Sequence, residues 1–476
     1  MTGIDQSLLF DDLGSRTVQA DFSGGHLSSD GGALLLRQVD RRVGISRRLA
    51  SCFKDLRHQG FVEHSVPSLI AQRLHGLALG YEDLNDHNLL RRDPLLAVCA
   101  DKFDPLGLDR KLERDKGKAL ASAPTLNRLE LGTEKQTRCH KIVANPPAIQ
   151  SLLLEMGTRF LPKGTQEIIL DLDAMGHLLH GSQEGRFFSG LYSEYCYLPL
   201  YIVAGGIPLW TQVRTANRGA AFGAVEALIQ VVGAVRKRFP KARIIVRGDS
   251  GFCTPELMDW CEDHRVFYCL GLQRNERLEL LLRPAMDSAR ARLCLIGGVG
   301  TRVFTEFEYA TLTTWRAPRR VIGKAQITSE GENPRFIVTN LRAETFSKNE
   351  CFRAEPAELY EELYCARGNM ENVLKQQVLD LEGDRMSTHY LGSNQLRLWL
   401  STFAYLLLER LRCLTLQGTE LATATVGTIR LRLFKVAAMI QVSVRRIYIR
   451  MASSFPLQQL YDQCLSRLKA STDPCG

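Results

Sequence analysis

Three carboxylates, each at the end of a separate element, are the residues of this chain best placed to do chemistry. Ile168-Ile169-Leu170-Asp171-Leu172-Asp173 runs β-favouring apolar residues into an alternation of Asp and Leu, the pattern of a buried strand that surfaces as it delivers an acid. Ala242 to Asp249 repeats the pattern and ends in Arg247-Gly248-Asp249. The third acid, Glu371, lies on a helix that opens near Pro356. Brought together, Asp173, Asp249 and Glu371 would hold Mg2+, for which Mn2+ can substitute, because such hard cations take oxygen ligands and keep several waters. Two such ions about 3.5 to 4 Å apart serve both the attacking and the leaving oxygen of a phosphodiester. Asp171 competes for the first position. Two residues earlier on the same strand, it points the same way but deeper, which suits a supporting part.

The helix of Glu371 is expected from about Pro356 to Leu381. Tyr364, Arg367, Glu371, Lys375 and Val378 recur at three- and four-residue spacing and so share one stripe. Arg367 one turn back and Lys375 one turn on would keep Glu371 ionised and directed. An ordinary ladder of surface ion pairs has the same spacing.

The elements that must position these acids read as an α/β core. After strand Ile168 to Asp173 come Tyr197 to Ala204 and Pro208 to Arg214, an antiparallel meander by their short connections. A helix from about Ala220 to Phe239, strand Ile244 to Arg247, a helix capped by Thr254-Pro255 and strand Val266 to Leu270 follow. That order is the order of the ribonuclease H-like fold. From Leu278 to about Asn349, the runs Val303 to Thr311, Arg320 to Ile327 and Phe336 to Asn340 are separated by Gly and Pro, an all-β insertion without a comparable helix. Gly31 to about Leu129 is mainly helical, with Ser65-Val66-Pro67 opening one helix, and Asp101 to Lys141 reads as a charged, exposed connector. The resulting division is a mainly helical DNA-binding region at 1–150, a first core part at 160–277, the insertion at 278–352, core completion with the catalytic helix at 353–390, and a basic helical C-terminal region at 391–476.

At 476 residues the chain exceeds a single core. Its net charge of +9 is unevenly placed: from Leu391 to Gly476, eleven basic residues face four acidic ones. Such a tail fits a polyanion such as nucleic acid, or a solvated helical face. The thirteen cysteines form no C-x-x-C pair and read as reduced thiols. Gly80 to His87 has oxygen ligands at alternate positions but lacks the central Gly and the closing Glu of a calcium loop. No signal peptide is apparent, and the most apolar run, Leu398 to Leu408, is too short to cross a bilayer. A cytoplasmic protein with no membrane partner is expected, nucleoid-associated when bound to DNA.

Tyr364, Arg367 and Glu371, spaced Y-x-x-R-x-x-x-E, resemble the signature of DDE transposases of bacterial insertion sequences, most closely the group filed as DDE transposase group one. Asp30-Gly31-Gly32, the run from Leu79 to Asp86, Asp171-Leu172-Asp173, Gly181-Ser182-Gln183-Glu184-Gly185 and Gly248-Asp249-Ser250 extend the resemblance over most of the chain. It implies an enzyme that cuts double-stranded DNA at its element's terminal inverted repeats and joins the 3′ ends to target DNA, using Mg2+ in a synaptic homodimer. It also implies Asp173, Asp249 and Glu371 as the catalytic and metal-binding acids, with Tyr364 and Arg367 on DNA. Two positions depart from the pattern. Val378 stands where a Lys is usual, leaving Lys375 as the nearest candidate, and Ala174-Met175 follow the first acid where Thr or Ser is common. Related enzymes with an insertion can hold a flipped base on an aromatic ring. Trp315, beside Arg316, Arg319 and Arg320, is the candidate, or else a core tryptophan. Arg445 and Arg446 are expected on the DNA backbone. A structure-selective nuclease that cleaves without joining, and an inactive regulator that occupies DNA ends, are the alternatives.

Overall fold

A computed structural model describes residues 8–133, 137, 140–296, 300–342 and 354–470. Two compact units emerge, Met1–Ala144 with Phe403–Pro474, and Asn145–Thr402.

The second unit is built on a 9-stranded mixed sheet. Its elements in chain order are α1 (Pro146–Phe160), β1 (Glu167–Ala174), β2 (Leu200–Ala204), β3 (Ile207–Gln212), α2 (Ala224–Arg238), β4 (Arg243–Gly248), α3 (Pro255–Asp263), β5 (Phe267–Leu272), α4 (Glu276–Ile296), β6 (Thr301–Tyr309), β7 (Arg319–Thr328), β8 (Arg335–Thr339) and α5 (Gly368–Lys375). The strands lie in the order β3-β2-β1-β4-β5-β8-β7-β6, with Gly331–Glu332 paired to β7. β1, β2 and β3 are antiparallel neighbours, as the short connections require, while β1, β4 and β5 run parallel. The central strands are apolar on both faces, and every residue of β2 is buried. A small sheet of His177–Leu178, Phe187–Ser189 and Glu194–Tyr197 sits between β1 and β2 in sequence.

Two expectations need correction here. The stretch from Leu278 is not an all-β insertion: it opens with the 21-residue α4. Leu278, Leu282, Met286 and Ala289 are buried at helical spacing, a periodicity that outweighs Pro284 within the helix. The three β runs do form strands, but β8 pairs with core strand β5, so they extend the core sheet and do not make a separate one. Secondly, the segment that carries Glu371 is not a uniform helix. It passes through a π turn at Leu359–Tyr364, a 3-10 turn at Cys365–Arg367, α5, and a second π turn at Gln376–Asp380. Such irregular turns recur at functional sites.

In the first unit, helices Ala33–Val43, Ile45–Ala50, Val66–Ala78, Pro94–Cys99 and Ala123–Glu130 supply the core. Ser65 caps the third, accepting a hydrogen bond from the Ser68 N–H, with Pro67 in the first turn. Asp101 to Lys141 is not merely a connector, because Leu120, Leu126 and Leu129 are buried and Glu130 forms a buried ion pair with Arg73 at 2.7 Å. The mainly helical N-terminal region also carries an exposed hairpin, Leu8–Leu13 with Arg16–Ala20.

The C-terminal region is likewise not wholly helical. Ala438–Val442 and Ile447–Met451 form an antiparallel hairpin that also pairs with Leu27–Ser28, because Ile440, Val442, Ile447 and Ile449 alternate at strand period. The Asp30-Gly31-Gly32 motif secures this segment. The Gly31 N–H donates to the Val436 carbonyl at 2.8 Å, and a Cβ on Gly32 would lie 2.1 Å from the Leu433 carbonyl oxygen. Asp30 then accepts hydrogen bonds from Lys435 at 2.6 Å and from the Tyr81 hydroxyl at 2.7 Å. Among the described residues, no helix is long and apolar enough to cross a membrane.

Candidate active site

Strand register sets the first two acids side by side. Pairs Glu167 with Arg243 through Asp171 with Arg247 fix one constant offset between β1 and β4, and the same offset carries Asp173 to Asp249. On the other side, Gly248 pairs with Leu270, so the next step places Gly271 beside Asp249. The C-terminal ends of three parallel strands thus present Asp173, Asp249 and Gly271 in a row, the edge at which open α/β sheets bind their ligands.

Asp171 and Asp173 are divided in role by what they touch. Asp171 is buried and accepts from Arg247 Nε at 2.5 Å and Nη2 at 2.8 Å. The third nitrogen, Nη1, donates to the Leu363 carbonyl at 2.5 Å, tying the sheet to the helical segment of Glu371. Both oxygens of Asp171 are therefore committed to a bidentate pair. Asp173 takes the Ala174 N–H at 2.8 Å on Oδ1 and the Arg367 guanidinium at 3.4 Å on Oδ2. Asp249 accepts the Gly251 N–H at 2.9 Å on Oδ1, capping the turn Ser250–Phe252.

Arg367 reaches Glu371 Oε1 at 3.0 Å with its other terminal nitrogen, so one guanidinium spans Asp173 and Glu371. Burial raises the Asp173 carboxyl above its ordinary pKa. The Arg367 guanidinium and the Ala174 N–H lower it, and the charges of Asp249 and Glu371 raise it again. Asp173 thus feels the charge of both other acids. An all-oxygen donor set of this kind fits a hard divalent cation. Among the described residues, no three His, Cys, Asp or Glu side chains are gathered tightly enough to hold a metal ion. Arg367 instead draws two of the three acids to itself. Tyr364 packs over the Gly271 end of the row, and Lys375 is exposed one turn beyond Glu371.

The Gly181 to Gly185 motif clasps the chain just past this helix. The Gln183 side-chain amide donates to the Met386 carbonyl at 3.0 Å, the Glu184 N–H to the His389 carbonyl at 2.8 Å, and the Leu391 N–H to the Glu184 carboxylate at 3.2 Å.

The insertion residues are placed differently from what their spacing led us to expect. Arg319 is buried, donating to Glu262 at 2.7 Å and Asp259 at 2.5 Å on α3. Arg316 joins the same acids and Asp263. Arg320 is buried against Glu306 and the Leu341 and Ala354 carbonyls. Arg319 therefore ties the insertion to α3, while Arg320 ties β7 to its neighbour β6 and to the chain after β8, so both guanidinium groups are engaged in ion pairs within the protein. Trp315 is half-buried, edge-on to Tyr309 at 5.5 Å between ring centres, with the Arg319 guanidinium 5.3 Å from its own ring centre. Arg445 and Arg446 are exposed at the tip of the C-terminal hairpin, next to the fully exposed Val444.

Arg247 and Gly271 were missed as positioning residues. A basic residue inside an apolar strand, and a glycine at a strand end, were the available signals.

A family model described as transposase DDE domain group 1 matches residues 10–473. No curated protein matches the chain. Among solved structures, the chain resembles one in a cryo-EM structure of a piggyBac transposase synaptic complex with hairpin DNA. The identity is 11% and the TM-score 0.40, over 85% of this chain and 79% of that one. That likeness is too distant to assign a role to any residue.

Proposed function

The chain belongs to the transposase DDE domain group 1 family, and from that premise we propose that it cleaves double-stranded DNA at the terminal inverted repeats of its own element and joins the 3′ ends to target DNA. The single observation that carries this reading is the row of Asp173 and Asp249 on adjacent parallel strand ends, with Arg367 joining Asp173 to Glu371. The strand order, an antiparallel trio followed by two parallel strands, supports a ribonuclease H-like core.

In this reading Asp173, Asp249 and Glu371 hold Mg2+ or Mn2+. Such ions, when held there, would supply Lewis-acid chemistry for the attacking oxygen and charge neutralisation at the scissile phosphate. The chain's own residues do the positioning. The Asp171–Arg247 pair fixes the depth of the helical segment through the Leu363 carbonyl. Tyr364, Arg367 and Lys375 face the DNA end, Arg367 being suited to a bidentate phosphate contact. Arg445 and Arg446 contact the backbone farther along the duplex. Two copies act together in a synaptic homodimer in the cytoplasm, on the nucleoid, and Trp315 is the residue to test for a flipped base.

The test is incubation of the purified protein with Mg2+ and a labelled duplex ending in the element's own terminal repeat, beside E371Q. Cleavage at the repeat with joining to a second duplex, lost in E371Q, is the expected result. Cleavage without joining would replace the transposase with a nuclease, and binding without chemistry would leave a regulator of DNA ends.

A further inference from the structure

We infer that Arg367 is a built-in competitor of the metal: in the DNA-free protein its guanidinium neutralises Asp173 and Glu371, and it yields to the divalent cation when a DNA phosphate draws it away. This rests on the proposed assignment of the three acids to metal and adds the order in which the site fills.

The geometry distinguishes Arg367 from the other arginine at this edge. Arg247 grips Asp171 by two nitrogens at 2.5 and 2.8 Å, with side chains 5% and 8% exposed. Arg367 makes single contacts at 3.4 and 3.0 Å, longer than the 2.7–2.9 Å of a strong charge-assisted bond. Its side chain is 19% exposed and that of Glu371 46%. One pair is a fixture; the other has longer contacts, and its Glu371 end is open to solvent while the Asp173 side chain is 16% exposed.

A guanidinium cannot lose its charge near neutral pH, so it and a divalent ion cannot share Asp173 and Glu371 without strong repulsion. It must move for metal to bind. The backbone at Arg367 suits such movement, because the residue ends a 3-10 turn flanked by a π turn on one side and α5 on the other. A Cβ on the following Gly368 would meet nothing within 4 Å, so the space beside the backbone is open at that point. A DNA phosphate offers the displaced guanidinium a bidentate partner. Metal and DNA end would then strengthen each other's binding by one and the same factor.

The experiment is a Mn2+ titration of the full-length protein, with free Mn2+ followed by electron paramagnetic resonance, on wild type, R367Q and R367K. Mn2+ should bind R367Q more tightly than wild type, by a factor in the range of about 5 to 150 that such couplings span. R367K keeps the cation and should stay near wild type. A pre-cut duplex ending in the terminal repeat, with no bond left to cleave, should tighten Mn2+ binding to wild type and barely alter R367Q. R367Q binding no more tightly than wild type overturns the proposal. So does a wild-type affinity that is the same with and without the duplex, a readout that needs no variant to fold. D249N, which removes an acid Arg367 does not touch, separates the two levels. If Mn2+ binding survives D249N in both backgrounds, the metal assignment itself has failed.

Discussion

Gly271 leaves vacant the space that the Tyr364 hydroxyl occupies: a Cβ on Gly271 would lie 2.5 Å from that oxygen and 2.9 Å from the Ser250 nitrogen. The glycine completes the row begun by Asp173 and Asp249, so the third parallel strand contributes room for a side chain from the helical segment. Tyr364 is thereby held against the turn that shapes Asp249.

Gly271→Ala should therefore cost about 1–3 kcal/mol of stability, the usual penalty of overpacking. Tyr364→Phe in the same chain should restore part of it by removing the nearest atom. Urea unfolding of the two single variants and the double variant measures this. A double variant no more stable than G271A would place the conflict wholly at the Ser250 backbone.

The two acids of β1 should respond to neutralisation in opposite ways. Asp171→Ala leaves Arg247 buried without its counter-charge and should cost about 3–5 kcal/mol. Asp173→Asn should stabilise the metal-free protein near neutral pH, because burial holds that carboxyl above its ordinary range and ionisation is the unfavourable state there. Unfolding curves without added metal decide it. A destabilised D173N would mean that the Arg367 contact outweighs burial.

The same shift sets a pH dependence. With its folded-state value raised, Asp173 contributes stability that is fully present below the unfolded carboxyl value of about 4 and is lost as pH rises through the folded value. Metal binding needs the ionised form, so it runs the other way. Mn2+ affinity should still be climbing with pH beyond the ordinary carboxylate range, and D173N should flatten that climb. Calorimetric titration across mildly acidic pH reads both slopes, and a wild-type affinity already level within the ordinary carboxylate range would contradict a raised Asp173 carboxyl.

What was legible in the sequence was what local periodicity encodes. The β1 and β4 patterns and the antiparallel trio form as expected, and Arg367 meets Glu371 one turn on, although the segment that carries them is not the uniform helix its spacing implied. The helix Glu276–Ile296 was as legible in its buried spacing, but Pro284 and the glycines after it obscured the pattern. The partners of Arg319 and Arg320 were not legible. A cluster of arginines beside a tryptophan has the composition of a nucleic-acid surface, and only the fold brings Asp259 and Glu262 of α3 against it. The helical reading of the basic tail failed similarly: Arg430 and Arg432 lie in helical turns, while Arg445 and Arg446 sit on a strand hairpin.

That hairpin supplies the last prediction. Ser443 closes the turn, its N–H donating to the Arg446 carbonyl at 2.8 Å and its hydroxyl accepting the Arg446 N–H at 3.1 Å. The closed turn holds Arg445 and Arg446 at an exposed tip, with Arg450 on the outgoing strand. Each phosphate neutralised adds about 0.9 to the slope of log affinity against log salt. Arg445→Ala with Arg446→Ala should therefore weaken binding to a terminal-repeat duplex and lower that slope by about 2. Because neither side chain is buried, the melting temperature should hold, so the loss can be read as contact and not as unfolding. An unchanged slope at unchanged stability would remove the hairpin from the DNA interface and leave the basic balance of the C-terminal region as a solvated surface.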